Sequence, residues 1–259
     1  MKKHWPLVPL AAALTACQSV PYTGRNHLVL VSQREESAMG VQAYQETLQK
    51  ARLSRDRSST EMIRRVGRRL AKVADRPDFQ WEFNLVDDDK TVNAFCLPGG
   101  KVAVYSGLLP VARDEEGIAV VMGHEIAHAL ARHGAERMSQ GMLANLGGQA
   151  LSVALAKQPA ATQQVYSQAY GVGVTLGVLL PYSRGQESEA DHIGLILMAK
   201  AGYNPSRALE FWKRMEQASG GGSESPLAAF TRTHPTDARR QEQIRQWLPE
   251  ITRQYYAPR

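Results

Sequence analysis

VVMGHEIAHALARHG, residues 120–134, is the stretch on which the fold turns. Val120, Val121, Met122, Ile126, Ala127, Ala129, Leu130 and Ala131 make it apolar nearly all round, which predicts a helix buried on every side. Inside it stand His124, Glu125 and His128. An α-helix turns about 100° per residue, so positions i and i+4 share one face roughly 6 Å apart. Two imidazoles so placed can converge on one ion, and a glutamate at i+1 can reach a bound water from the flank. A buried His-Glu-His group without a counter-charge is costly, and a metal removes that cost. His124 and His128 are therefore candidate metal ligands, with Glu125 beside them as candidate base.

A catalytic zinc usually takes three protein ligands and keeps one position for water. The metzincin arrangement needs its third histidine at position 134, but that residue is Gly134 and His133 is one place early. That class is excluded, and His133 is read as structural. The next carboxylate, Glu136, is expected on the same helix, about 12 Å of rise beyond His128, and cannot turn back to the ion. No Asp or Glu follows until Glu187 in SRGQESEADHIG, where Glu187 and Asp191 again stand i and i+4. One carboxylate of this pair can bind the metal while the other accepts a hydrogen bond from a ligand histidine's free ring nitrogen.

Outward from this core, Ser32 and Glu35 form a capping-box pattern opening a helix of roughly twenty residues, and apolar residues at helical period predict a second from Thr60 to Asp75. FQWEFNLVDD alternates like a strand with one buried face. VNAFCLPGGKVAVYSGLL reads as a hairpin turning at Pro98-Gly99-Gly100, and Asp114 as the N-cap of the histidine-bearing helix. Residues 138–182 carry one charge, Lys157, and two apolar segments, 142–156 and 171–181, too short or broken to span a bilayer. Gly173 and Gly177 there suit close helix packing. Helices follow over 185–201 and 205–218, then a flexible SGGGSESP loop, then a helix over 236–255 with a bend expected at Pro249. The class is mostly α with a small β-sheet (α+β), in a single domain over 32–259.

The basic Lys2-Lys3 start, the apolar run Leu7 to Leu14 and LTAC read as a secretory leader over 1–16. LTAC resembles a bacterial lipobox, which implies lipid on Cys17, a tether over 17–31, and, with Gln18 after the cysteine, an outer-membrane destination. The net charge of +6 falls to +4 without Lys2 and Lys3. With no clustered basic stripe, this excludes a nucleic-acid footprint. Cys17 and Cys96 are the only cysteines, so a lipidated Cys17 leaves Cys96 without an intramolecular partner and the fold without a disulfide.

GHEIAHALARHG together with SRGQESEADHIG and the late THP resembles the M48 zinc metallopeptidases, in particular the lipoprotein-type members of bacterial envelopes and the related mitochondrial inner-membrane protease. NAFCLPGGKVAVYSGLL and AGYNPSRALEFWKRM are similar to segments flanking that family's site. The resemblance implies a zincin-type domain holding one Zn2+ through His124, His128 and Glu187, with Glu125 as general base and Asp191 supporting a ligand. It brings His234 to the metal, as an occupant of the open position at rest or a hydrogen-bond donor to the oxyanion, with Arg240 supporting the same site. Cys96 departs from the alanine usual there. The implied activity is endopeptidase cleavage of misfolded or misassembled envelope proteins, facing the periplasm from a lipid anchor. The alternative is an assembly factor or holdase using the same groove with little proteolysis. The strand of Lys101, Val102, Ala103, Val104 and Tyr105 is expected to accept an extended substrate as an added strand.

Overall fold

The structure, a computed structural model, describes residues 17–156, 158–160, 162, 164, 182–218, 226–234 and 239–258. The leader over 1–16, the segment 171–181 with Gly173 and Gly177, almost all of the SGGGSESP loop and the first residues of the predicted last helix lie outside the described residues. In chain order the elements are β1 (Cys17–Ser19), β2 (Asn26–Leu28), α1 (Gln33–Lys50), α2 (Arg57–Val73), β3 (Glu82–Val86), β4 (Ala94–Leu97) and β5 (Lys101–Tyr105). After them come α3 (Leu109–Ala112), α4 (Glu115–Leu130), α5 (His133–Leu155), α6 (Arg184–Lys200), α7 (Arg207–Ala218), α8 (Ala228–Thr233) and α9 (Arg240–Tyr255, with Pro249 inside). No helix among the described residues is long and apolar enough to cross a membrane.

Local chemistry sets several boundaries. Ser32 and Glu35 close the expected capping box on α1, Ser183 and Gln186 close another on α6, and Asp114 caps α4 by accepting from the Gly117 amide. The second helix begins before Thr60 because Asp56 caps it, accepting from the Ser59 amide. One boundary differs from the sequence expectation. The helix of the opening stretch stops at Leu130, and Arg132 takes a left-handed conformation (φ 53°, ψ 34°) before α5 starts at His133. Glu136 is thus on the next helix and not on that of His128.

The sheet corrects two further expectations. Its order is β3-β5-β4, with β5 parallel to β3 and antiparallel to β4. Lys101–Tyr105 is therefore the central strand, bonded on both sides, and cannot receive a substrate strand; β4 holds the edge. β3 is buried from Phe83 through Val86, not on one face alone. Val102 and Val104 enter the main core while Ala103, pointing the other way, packs with Tyr44 of α1. The Tyr44 hydroxyl donates to the Val102 carbonyl and accepts from Asn84.

Residues 17–31 are not a free tether. β1 pairs with β2, Val20 is buried, and Leu30 donates its amide to Ser139 on α5. The deepest packing joins α4 to α6, where Gly123 and Gly194 let the backbones approach: a Cβ on Gly194 would lie 3.0 Å from the His124 amide nitrogen. This seam carries the histidines on one side and the carboxylates on the other.

Candidate metal centre

Because α4 runs buried from Gly117 to Leu130, His124 and His128 point from one face into protein, not solvent. His124 Nε2 and His128 Nε2 lie 3.1 Å apart. Glu187, in the first turn of α6, brings Oε1 to 3.3 Å from His128 Nε2 and Oε2 to 3.5 Å from His124 Nε2. His234, at the end of α8, brings Nδ1 to 3.0 Å from Glu187 Oε1 and 3.3 Å from His124 Nε2. One ligand atom from each of the four residues falls within 4.8 Å of the others, and all four residues are buried.

Around the cluster, Asp191 Oδ1 meets His124 Nδ1 at 2.9 Å. Arg240 donates to both carboxylates, Nη2 to Glu187 at 2.8 Å and Nε to Asp191. Its guanidinium lies 3.7 Å over the ring of Trp212, which also edges His124 at 5.2 Å. Tyr182 stacks on His128 at 4.1 Å and Phe230 on His234 at 4.5 Å, fixing both rings between aromatic faces.

The charges suit a dication. Glu125, Glu187 and Asp191 are three buried carboxylates within this group, and Arg240 is its permanent cation. With the imidazoles neutral and the three carboxylates ionised, two negative charges would remain uncompensated among buried groups, a costly arrangement that a 2+ ion offsets. Glu125 Oε1 is buried without a hydrogen-bond partner, 3.5 Å from His234 Nε2, as expected of a carboxylate that faces a reaction site. Burial pushes the Glu125 carboxyl up. Burial acts the same way on Glu187, but hydrogen bonds and charge from His124, together with His128 and His234, hold it far below the usual carboxylate range. For His124 burial disfavours the proton, yet hydrogen bonds to Asp191 and Glu187 prevail and raise it to about 9; for His128 burial wins and lowers it. Cys96 on β4 is pushed up by burial and then by the charge of Glu125, an unreactive thiol beside the centre.

Of the residues singled out from sequence, His124, Glu125, His128, Glu187, Asp191, His234 and Arg240 come together here. Lys101–Tyr105 does not supply a substrate edge. Sequence reasoning missed Tyr182, Trp212 and Phe230, and missed His133, whose Nδ1 is 2.8 Å from His128 Nδ1. It also passed over Glu189, the middle acid of the same ESEAD run, which meets His133 Nε2 at 3.0 Å. His27 finds Glu136, at 3.4 Å.

A model of peptidase family M48 matches residues 57–248. The chain is 37% identical over 239 residues to "Mitochondrial metalloendopeptidase OMA1" of Schizosaccharomyces pombe, covering 91% of this chain and 68% of that protein. It is 37% identical over 184 residues to the Saccharomyces cerevisiae protein of the same name, covering 68% of this chain and 49% of the relative. To the "Putative beta-barrel assembly-enhancing protease" of Vibrio cholerae it is 33% identical over 199 residues, covering 73% of this chain and 40% of the relative. The chain thus spans half or less of the length of the latter two.

Proposed function

The chain belongs to peptidase family M48, and on that footing we propose that it is a zinc-dependent endopeptidase of a bacterial cell envelope, acting on misfolded or misassembled proteins. The observation that carries this reading is the buried group of His124, His128, Glu187 and His234 beside Glu125, whose Oε1 makes no hydrogen bond. The envelope setting draws on the name of the Vibrio cholerae relative and on the leader with its lipobox, through which Cys17 anchors the chain to the outer membrane, facing the periplasm.

His124, His128 and Glu187 would hold the ion, with Asp191 orienting His124 and Arg240 steadying both carboxylates. A bound zinc supplies Lewis acidity toward a carbonyl and lowers the pKa of water. Glu125 takes the proton of the attacking water and passes it to the leaving amine. His234, whose Nδ1 lies among the ligand atoms, would help to hold the ion at rest or turn to donate to the oxyanion. An extended substrate would pair along β4, which packs against α4, the helix that carries Glu125.

One observation favours the holdase alternative: α5 presents Met142, Leu143, Leu146 and Val153 to solvent, the last 78% exposed. The deciding experiment compares wild type with Glu125→Gln for zinc content and for cleavage of an unfolded protein. The peptidase reading expects zinc in both and cleavage in wild type, reduced at least ~100-fold in the variant. Zinc in both with cleavage in neither supports the holdase, and no zinc in wild type removes the whole reading.

A further inference from the structure

We propose that His133 is a positioning residue for His128, and that Thr23 and Arg25 of the N-terminal segment hold it in place through Glu189. The proposal rests on His128 being a metal ligand. It concerns residues to which the mechanism above gives no part.

An imidazole that offers Nε2 to a cation carries its proton on Nδ1 and needs an acceptor there to fix the tautomer and the ring plane. His124 finds that acceptor directly, in Asp191. His128 has no carboxylate on Nδ1; it faces His133 Nδ1 at 2.8 Å. Two ring nitrogens in contact share one proton, so the His128 N–H donates and His133 Nδ1 accepts. The proton of His133 is then on Nε2, which donates to Glu189 Oε2 at 3.0 Å. Glu189 is fixed in turn by Arg25 Nε at 2.8 Å on the same oxygen and by the Thr23 hydroxyl on the other. Every donor in this row has an acceptor, and His133 is wholly buried.

The geometry depends on the left-handed residue before α5. On an unbroken helix His133 would follow His128 by five residues, about 140° round the axis, turned from its face. Arg132 makes the break, and the N-terminal region holds it: Arg132 donates to Glu36 at 2.7 Å, to the Val31 carbonyl at 2.8 Å and to Gln18. A non-glycine residue in that conformation is strained (φ 53°), and these bonds offset the strain. Residues 18–36 thus secure both ends of the row, the turn that delivers His133 and the carboxylate that orients it. All of them lie outside the stretch 57–248 that matches the family.

The test measures zinc affinity by competition with a chromophoric chelator, and the visible spectrum of the cobalt-substituted full chain. The variants are His133→Ala, His133→Asn, Glu189→Gln and Arg25→Ala, each checked for fold by circular dichroism. Removing the acceptor with alanine should weaken zinc about 10- to 100-fold and shift the cobalt bands. Asparagine returns an oxygen acceptor near the Nδ1 position and should restore affinity to within a few-fold of wild type. Glu189→Gln and Arg25→Ala should fall between. If alanine and asparagine weaken binding equally, His133 only fills space and the proposal is overturned, as it is if alanine binds like wild type. Should the alanine variant not fold, wild-type affinity in both Glu189→Gln and Arg25→Ala overturns it. A wild-type chain that takes up neither ion overturns the metal reading itself, and this inference with it.

Discussion

Gly194→Ala should destabilise the protein although it puts a better helix former into a helix. A Cβ at this position lies 3.0 Å from the His124 amide nitrogen, 3.1 Å from the Gly123 carbonyl carbon and 3.2 Å from His124 Cα. All three are backbone atoms of α4, so no rotamer change relieves the contact. Comfortable carbon contacts sit at ~3.5–4.0 Å, so α6 must move off α4 by about half an ångström. Overpacking of this kind costs ~1–3 kcal/mol, against which alanine returns up to ~1 kcal/mol of helix propensity. The net loss of up to ~2 kcal/mol corresponds to a fall in Tm of up to about 4–8 °C for a domain of this size. Gly141→Ala on α5 is the matched control, because nothing lies within 4 Å of its Cβ; it should raise Tm by ~2–4 °C. Glu187 and Asp191 ride on α6, so Gly194→Ala should also weaken zinc while Gly141→Ala leaves it unchanged. Thermal unfolding of chelator-stripped protein and a zinc titration read both effects. If the two alanine variants rise together, α4 and α6 do not meet as closely as argued.

His234→Ala should raise peptidase activity and weaken zinc, because His234 Nδ1 stands 3.3 Å from His124 Nε2 among the ligand atoms. A fall in kcat of ~100- to 1000-fold would instead make it the oxyanion donor, and no change in either quantity would sink both roles. Glu136 gives a pH test. Burial opposes its ionisation, but hydrogen bonds from Arg25, His27 and Gln186 prevail and hold its pKa well below the usual range. A depressed folded-state pKa adds stability that is full above the unfolded value of about 4.3 and is lost as the pH falls toward the folded one. The gap in Tm between wild type and Glu136→Gln should therefore stand open above about pH 5 and close on acidification; a gap that stays constant with pH refutes the assignment.

Readings that stay within one unbroken helix or at its cap agree with the structure. The i and i+4 pairs His124 with His128 and Glu187 with Asp191 follow from helical period alone, as do the caps at Ser32 and Asp114. The acid-free run after Glu136 narrowed the search to Glu187 without any knowledge of tertiary structure. What failed depended on distant partners. A hairpin can be read from Pro98-Gly99-Gly100, but which of its strands turns inward is decided by β3, which pairs with β5 and leaves β4 outside. The second buried face of β3 depends on Tyr44, some forty residues earlier. The sequence ARHGAE carries no glycine at the break, so nothing local announces that Arg132 will leave the helix.

His133 makes the physical reason plain. Its spacing from His128 is wrong for a shared helical face, and so counted against it; a carboxylate at position 36 and a carbonyl at position 31 make the spacing irrelevant by bending the chain at Arg132. Spacing rules hold while the helix holds, and here the helix ends inside the motif. A short run of chemical residues therefore needs a second question beside the one of period: whether a buried arginine in the run has acceptors waiting elsewhere. Arg132 is 7% exposed, and a guanidinium that deep has to find them. The search for its acceptors leads to residues 18–36, and from there, through Arg25 and Glu189, back to the ring of His128.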